Sequence, residues 1–498
     1  MKISVSITPE KWYNSVHELL RSAFVDYEIY FAATQEVDLW LQLAVDPETD
    51  PNQVAFAGKL KNANGITLHE KQQSVPLAKD TPERDKEVSR LLRIFVFEWL
   101  CEYLGSSFSE YGILSGVRPL KLIHRCLDEG MTDGDILRYM SNNYRVSPEK
   151  ARFLLEVAGN NHFLLNSREE AKTRIGIYVG IPYCPTRCYY CSFPGAILRK
   201  YEKDIPPFLA ALHKELTAIG QYLADSPFTV QNLYIGGGTP TVLNEYDLAQ
   251  LLDAIGDILN LSACREFTVE AGRPDTLNPE KLRILKNHGI DRMCVNPQTM
   301  NDATLERIGR RHTAAEIENA VALAREAGIR NINMDLIVGL SGEGEAEYRH
   351  TMEKILSMHP ENVTVHSLAV KRGSTLAEKE GLSKVSGQAS EIEKTMQWMA
   401  AVLKEQGYLP YYMYRQKYMK ANMENTGYTL PGRQCLYNVQ MMEERQTIIG
   451  LGGGSSSKFI HPEDWTLKNF HNPKDPLSYC EHIDRCIEAK LDNLRAIS

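Results

Sequence analysis

The stretch that decides the fold is IGIYVGIPYCPTRCYYCSF, residues 175–193. It opens as an apolar run with β-branched residues, which reads as a buried strand. The strand breaks at Pro182 into a loop with Cys184, Cys188 and Cys191, spaced C-x3-C-x2-C. Thiolates are soft ligands, suited to iron–sulfur clusters or zinc. Structural zinc takes four closed ligands, usually as two C-x2-C pairs. No second pair exists here. Three cysteines in one short loop suit three irons of a [4Fe–4S] cluster, leaving the fourth iron open. An open position is what catalysis needs. The competing readings are inert thiols, a disulfide with one cysteine to spare, or an incomplete zinc site. The position after a strand and the flanking aromatics weigh against them.

Outward from this loop, apolar runs alternate with amphipathic helical stretches. The strands are IGIYVGI, VQNLYIG, REFTVEA, IDRMCVNP, IRNINMDLIVG and ENVTVHSLAV. EYDLAQLLDAIGDILN, PEKLRILKNHG and AAEIENAVALAREAG fall between them at helical spacing. Six strand–helix units in series predict an α/β fold with a parallel sheet covered by helices. Six units fit an open partial (β/α)6 TIM-like barrel better than a closed eight-fold one. Chemistry in such sheets sits at the carboxyl ends of the strands. Upstream, KISVSI, VDYEIYFAA, VDLWLQLAV and VAFAGKL read as strands of a small antiparallel sheet. The turn-rich DPETDPN and NANG separate them. Asp80-Thr81-Pro82-Glu83 then opens a helical run. The expected organisation is an N-terminal α+β domain over 1–165, the barrel over 173–385, and a mainly helical or mixed extension over 386–498 that covers the substrate.

Composition narrows the class. At 498 residues the chain exceeds a single small fold. Its 43% hydrophobic and 24% charged content is that of a globular protein. The net charge of -8 gives no basic footprint, so nucleic acid is not the expected partner. No run of about 18 apolar residues predicts a membrane span, and the opening MKISVSITPEKWYNSV lacks signal-peptide features. The expected location is cytoplasmic, where cysteines stay reduced. The other seven, Cys101, Cys126, Cys264, Cys294, Cys435, Cys480 and Cys486, are scattered singly.

Several strand ends carry further candidates. Strand two ends in Gly236-Gly237-Gly238-Thr239-Pro240. Glycines there let a ligand approach bare backbone, or mark only a tight turn. Glu270 ends strand three, where a carboxylate suits an ammonium group or a neighbouring cation, or simply faces solvent. Gln298 follows strand four, where an amide suits a hydroxyl or carboxylate. Arg310 reads either as a ligand or as a solvated helix end. Asp335 lies inside an apolar parallel strand, which is costly without a partner. His366 reads as a core histidine. Seven Tyr and five Met between Tyr408 and Met442 read as core or contact surface.

The pattern Y-x-G-I-P-Y-C-x3-C-Y-Y-C with GGGTP resembles the radical S-adenosylmethionine (SAM) superfamily, close to its oxygen-independent coproporphyrinogen III oxidase branch. The resemblance covers about residues 173 to 460. It implies a radical SAM barrel, with Cys184, Cys188 and Cys191 holding the cluster and its open iron binding SAM. One electron from the reduced cluster would cleave SAM to methionine and a 5′-deoxyadenosyl radical. The match implies a SAM site of Tyr178, Tyr190, Gly237, Gly238, Thr239, Glu270, Gln298, Arg310, Asp335 and Ala369. Asp335 would touch the ribose and Ala369 the adenine. The implied reaction is oxidative decarboxylation of coproporphyrinogen III to protoporphyrinogen IX in heme biosynthesis, fed by an unidentified electron donor. Four propionates need cations, for which Arg273, Arg310, Arg311, Lys371, Arg372 and Arg433 are candidates.

Two departures stand out. The best-studied oxidases carry a fourth Cys where this chain has Phe193. That matches instead the oxidase-like paralogues and the heme chaperones of the same family. The chaperones carry H-N-x-x-Y-W, where this chain has Tyr437-Asn438-Val439-Gln440-Met441-Met442. The missing His, Tyr and Trp weigh against the heme-chaperone reading; the alternatives kept are a heme-binding delivery protein of the same family, or a radical SAM enzyme acting on another tetrapyrrole. A zinc-structured scaffold is a more distant one.

Overall fold

The computed structural model describes residues 1–25, 27–31, 36–46, 52–77, 83–191, 196–369, 374–375, 389–416 and 423–497. Most of the DPETDPN turn, the helix opener Asp80-Thr81-Pro82, Phe193, Lys371, Arg372 and the 385/386 boundary lie outside these residues. The chain forms two compact units, Met1–Glu156 and Val157–Ser498.

The first unit is a sheet with helices. Its strands are β1 (Lys2–Thr8), β2 (Glu28–Phe31), β3 (Leu39–Asp46), β4 (Gln53–Asn62) and β5 (Thr67–Pro76), in the order β2-β1-β3-β4-β5. The expectation of a purely antiparallel sheet is corrected at β1, which runs parallel to both β2 and β3. A parallel neighbour needs a crossover, and α1 (Tyr13–Ala23) supplies it. Strands β3, β4 and β5 then form an antiparallel meander. Strand β5 escapes a hydrophobicity reading because it is a polar edge. Alternate residues Ile3, Val5 and Ile7 join Leu41 and Leu43 under α2 (Arg84–Leu104), whose Leu92, Phe95, Val96 and Trp99 complete the core. Gly58 on β4 is required by that packing, since a Cβ there would lie 2.9 Å from the Trp99 ring. Helices α3 (Leu120–Asp128), α4 (Asp133–Tyr144) and α5 (Pro148–Gly159) follow.

In the second unit α6 (Arg168–Ala171) leads into β6 (Arg174–Ile181). The short β7 (Tyr183–Cys184) and β8 (Ala196–Ile197) pair with each other. Next come α7 (Leu198–Tyr201), α8 (Ile205–Ala224), β9 (Thr229–Gly237), α9 (Glu245–Ile258), β10 (Glu266–Glu270), α10 (Pro279–Asn287) and β11 (Arg292–Cys294). The series closes with α11 (Asp302–Arg307), α12 (Ala314–Glu326), β12 (Asn331–Val338), α13 (Glu345–Ser357) and β13 (Asn362–Ser367). All six expected strands form, side by side and parallel, in the order β13-β12-β11-β10-β9-β6. This is the partial barrel. Strand β9 is buried over seven consecutive residues, as a strand covered on both faces must be.

The C-terminal extension is mixed, and its strands join the barrel sheet at both edges. Strands β14 (Leu409–Arg415) and β15 (Glu424–Thr429) extend it antiparallel beyond β13. Strand β16 (Thr447–Gly452) lies parallel to β6, followed by antiparallel β17 (Ser456–His461) and β18 (Thr466–His471). Among the described residues this makes an eleven-stranded sheet.

One buried ion pair fixes the β16 edge. Glu215 of α8 and Lys490 of the last helix are both fully buried and bonded to each other. Glu215 also accepts from the Gly452 amide at 2.8 Å, the Tyr479 hydroxyl at 2.7 Å and the Asn472 amide at 3.2 Å. Lys490→Met strands that carboxylate without its cation. Breaking a buried pair in this way costs roughly 3–5 kcal/mol. The expected outcome is a lower urea midpoint for the transition that reports the second unit. An unchanged midpoint would contradict this role.

Candidate active site at the carboxyl ends of the barrel strands

The cysteine loop leaves the end of β6 and is clamped to the end of β9 by backbone. The Gly238 amide donates to Ile181 O at 2.8 Å, and the Thr239 amide to Tyr183 O at 2.7 Å. Gly237 holds φ +110, a conformation open to glycine. A Cβ on Gly238 would lie 2.4 Å from Tyr183 O and 3.0 Å from Cys184 Sγ. The glycines therefore let the strand end sit directly on the loop. Further along, the Tyr189 amide donates to Ile308 O at 3.0 Å and the Thr186 hydroxyl to Gly309 O at 3.1 Å.

None of Cys184, Cys188 and Cys191 is in a disulfide. Among the described residues no group of three His, Cys, Asp or Glu is already gathered around a point where an ion would sit. The donor set nevertheless fits an iron–sulfur cluster. It offers three soft sulfurs on one loop, and polar hydrogens are aimed at two of them. The Thr239 hydroxyl lies 3.7 Å from Cys184 Sγ, and Arg273 Nη1 lies 3.4 Å from Cys188 Sγ. Burial pushes the Cys184 thiol up to about 11 in the metal-free chain, so binding a cation there displaces a proton.

Two carboxylates face the same end of the sheet with opposite electrostatics. Glu270 accepts from the Tyr234 hydroxyl at 2.8 Å. Burial, reinforced by the charge of Asp335, drives its carboxyl up to about 7 against that hydrogen bond. Burial acts on Asp335 too, but there His366 and Asn333 prevail and hold the carboxyl below its usual range. His366 Nε2 lies 3.8 Å from Asp335 Oδ2, and Asn333 Nδ2 donates to Oδ1 at 2.7 Å. His366 is thus more than a core histidine, and its Nδ1 lies 3.4 Å from the Tyr414 hydroxyl.

Gln298 is buried with φ +68, rare for a residue with a side chain. Its backbone is held in register by the amide donating to Asp335 O at 2.9 Å and the Ile337 amide donating back at 3.0 Å. Such over-determined strain is typical of functional sites. Arg310 is buried, so the solvated helix-end reading is corrected. Its Nη1 donates to Gly272 O at 3.1 Å and Asn296 O at 2.5 Å, and its Nη2 to the Tyr190 hydroxyl at 3.3 Å. The guanidinium thereby ties two strand ends to the cysteine loop. Arg310 Nε and Asn296 Oδ1 are buried without a hydrogen-bond partner among the described residues, as atoms awaiting a ligand would be. Ala369 is buried two residues past β13.

The floor beneath is aromatic. Tyr178, Tyr234 and Tyr437 form a triangular cluster of near-parallel rings, with Tyr234 and Tyr437 centroids 4.4 Å apart and Tyr178 5.9 Å and 6.0 Å from them. Tyr437 arrives on the helix Leu436–Glu443. Glu266, at the amino end of β10, holds that helix by its first turn. Its carboxylate accepts from the amides of Leu436 at 2.8 Å and Tyr437 at 3.0 Å, and lies 3.3 Å from Arg292 Nε.

The candidate substrate cations separate. Arg273 and Arg310 sit at the cysteine loop. Arg311 is exposed, while Arg433 is exposed and donates to Asn331, at the amino end of β12 and so at the opposite end of the sheet. Tyr234, Asn296 and Tyr437 lie among these candidates and join them. Tyr234 was within reach of a period-two reading, since it shares a face with Gly236. Tyr437 has no local signal.

A model of the radical SAM superfamily matches residues 178–355. The chain is 36% identical over 502 residues to the oxygen-independent coproporphyrinogen-III oxidase-like protein HemZ of Bacillus subtilis (strain 168), covering 100% of this chain and 98% of that one. It is 37% identical over 195 residues to the heme chaperone HemW of the same organism, which is 39% of this chain and 50% of that one. The structure of coproporphyrinogen III oxidase (HemN) from Escherichia coli aligns with TM-score 0.51 and 21% identity over 63% of this chain and 70% of that one, a likeness of fold.

The Glu270 environment has a measurable consequence. A carboxyl raised from 4.5 to about 7 binds more protons in the folded than in the unfolded chain across that window. Stability contributed by this site is therefore lost as pH rises from about 4.5 to 7. Glu270→Gln keeps an acceptor for Tyr234 and removes the titration. Compared with the wild type, the metal-free variant is expected to gain stability progressively between pH 5 and 7.5, on the order of 2–3 kcal/mol. Parallel curves of denaturation midpoint against pH would contradict the assignment.

Proposed function

Because this chain belongs to the radical SAM superfamily, in the family of the oxygen-independent coproporphyrinogen-III oxidase-like protein HemZ, we propose that it is an oxygen-independent oxidoreductase of heme biosynthesis that converts coproporphyrinogen III to protoporphyrinogen IX. The observation that carries this reading is end-to-end likeness to that relative, combined with a three-cysteine loop clamped to the strand ends. The proposed location is cytoplasmic, where cysteines stay reduced; none of the ten is in a disulfide. No described helix is long and apolar enough to cross a membrane.

Cys184, Cys188 and Cys191 would hold the [4Fe–4S] cluster. When bound, the cluster and SAM supply one-electron chemistry that yields a carbon radical able to take hydrogen from an unactivated C–H bond. The chain's own residues then bind, orient and exclude water. The proposed SAM site is Tyr178, Tyr190, Gly237, Gly238, Thr239, Glu270, Gln298, Arg310, Asp335 and Ala369. Asp335, kept anionic by His366 and Asn333, is suited to accept from ribose hydroxyls. Glu270 changes protonation near neutrality and is suited to an ammonium group. The free donor on Arg310 and free acceptor on Asn296 remain for a polar ligand. The tyrosine floor gives a water-poor, flat surface of the kind a radical and a macrocycle both need. Two propionates would each lose a β-hydrogen atom, CO2 and one electron to become vinyl groups, the electron passing to the acceptor. The electron donor and acceptor are separate partners.

The test is anaerobic reconstitution with iron, sulfide, SAM, a strong reductant and coproporphyrinogen III, followed by mass analysis. Protoporphyrinogen IX formed with matching 5′-deoxyadenosine is the expected result. SAM cleavage without decarboxylation would move the search to another tetrapyrrole. Absence of turnover with tight heme binding would favour the delivery reading, which the likeness to the heme chaperone supports. Separately, Cys184→Ala, Cys188→Ala and Cys191→Ala are each expected to lose the thiolate-to-iron absorption near roughly 400 nm. A brown protein lacking all three cysteines would refute the ligand assignment.

A further inference from the structure

Arg273 stands third past the end of β10 and is only 3% exposed. All three nitrogen positions of its guanidinium are engaged. Nη1 donates to Cys188 Sγ at 3.4 Å, Nη2 to the Thr186 hydroxyl at 2.7 Å, and Nε to Asp275 Oδ1 at 3.3 Å. Thr186 is fixed in turn by its bond to Gly309 O. The same Asp275 oxygen lies 3.7 Å from His312 Nδ1. A guanidinium held at three points has one orientation. Here that orientation spends one charged N–H on a sulfur. Three of its five N–H donors are thereby engaged within the chain.

A charged donor buried against a ligating sulfur has a specific physical effect. Hydrogen bonds to the sulfurs, local charge and solvent exclusion together set the reduction potential of an iron–sulfur cluster. Adding an electron is easier beside a fixed positive charge, and burial limits its screening by salt. Asp275 opposes this, since its carboxylate partly neutralises the guanidinium. The result is a cation whose strength at the sulfur is trimmed by an anion one bond further out.

We propose that Arg273 is a positioning residue that raises the reduction potential of the cluster on Cys184, Cys188 and Cys191 through its N–H···S bond to Cys188, with Asp275 tempering the effect. This rests on the cluster reading above. It assigns Arg273 to electron entry rather than to substrate recognition.

The experiment uses the reconstituted full-length protein. Iron and acid-labile sulfide are counted first. The midpoint potential is then read by electron paramagnetic resonance during titration with dithionite. A wild type without iron and sulfide would sink the cluster reading and this inference together. With the cluster present, Arg273→Met is expected to disfavour reduction at least tenfold, a downward shift of about 59 mV for a one-electron couple. Asp275→Asn removes the opposing charge and is expected to shift the midpoint upward. Loosened packing alone does not produce shifts of opposite sign. If Arg273→Met holds no cluster, Asp275→Asn decides: an upward shift supports the proposal and no shift overturns it. A cluster-bearing Arg273→Met with the wild-type midpoint overturns it and leaves the cluster reading standing.

Discussion

The site depends on one close approach of backbone to backbone. The end of β9 rests on the cysteine loop at a distance that only glycine permits at position 238, where a Cβ would meet Tyr183 O at 2.4 Å. Two amide bonds, from Gly238 and Thr239, use that proximity to fix the loop against the sheet. Two neighbouring side chains depend on the same glycine run. Thr239 reaches Cys184, and Gly236 leaves room for the Glu270 carboxylate, whose atoms would lie 3.0 Å from a Cβ there. The glycine run is therefore architecture as well as ligand access.

The opposite end of the barrel is closed by a different interaction. Glu266 sits at the amino end of its strand and receives the first amides of the helix Leu436–Glu443, the charge that a helix amino terminus favours. Arg292 balances it. That anchoring lifts Tyr437 under Tyr234 and Tyr178. The C-terminal extension thus builds part of the site floor, and its strands complete both sheet edges. Glu215 and Lys490 are the fastening on the β16 side.

The barrel was legible in the sequence because its strands are rich in apolar and β-branched residues and alternate with amphipathic helices. The three-cysteine loop was legible because its spacing is local. What was hidden is non-local or polar. The parallel neighbours of β1 depend on a crossover through α1, which no pattern within β1 announces. Strand β5 lacks an apolar face. Tyr437 lies 203 residues after Tyr234 (437 − 234), so their stacking is a product of topology. The partners of Arg273 were hidden too, because sequence shows charge but not contacts: they are Cys188, Thr186 and Asp275.

The electrostatics of the strand ends are graded. Buried guanidiniums lie against the cysteine loop, His366 and Asn333 hold the Asp335 carboxyl below its usual range, and burial raises that of Glu270. That gradient suits a zwitterionic cofactor laid across the strand ends with its charged groups toward the cysteines. The most direct test is hyperfine spectroscopy on the reduced, reconstituted protein with SAM labelled with 17O at its carboxylate. The account predicts coupling between the label and the cluster, showing that SAM binds the open iron. A fully loaded cluster whose spectrum is unchanged by SAM and shows no such coupling would contradict it.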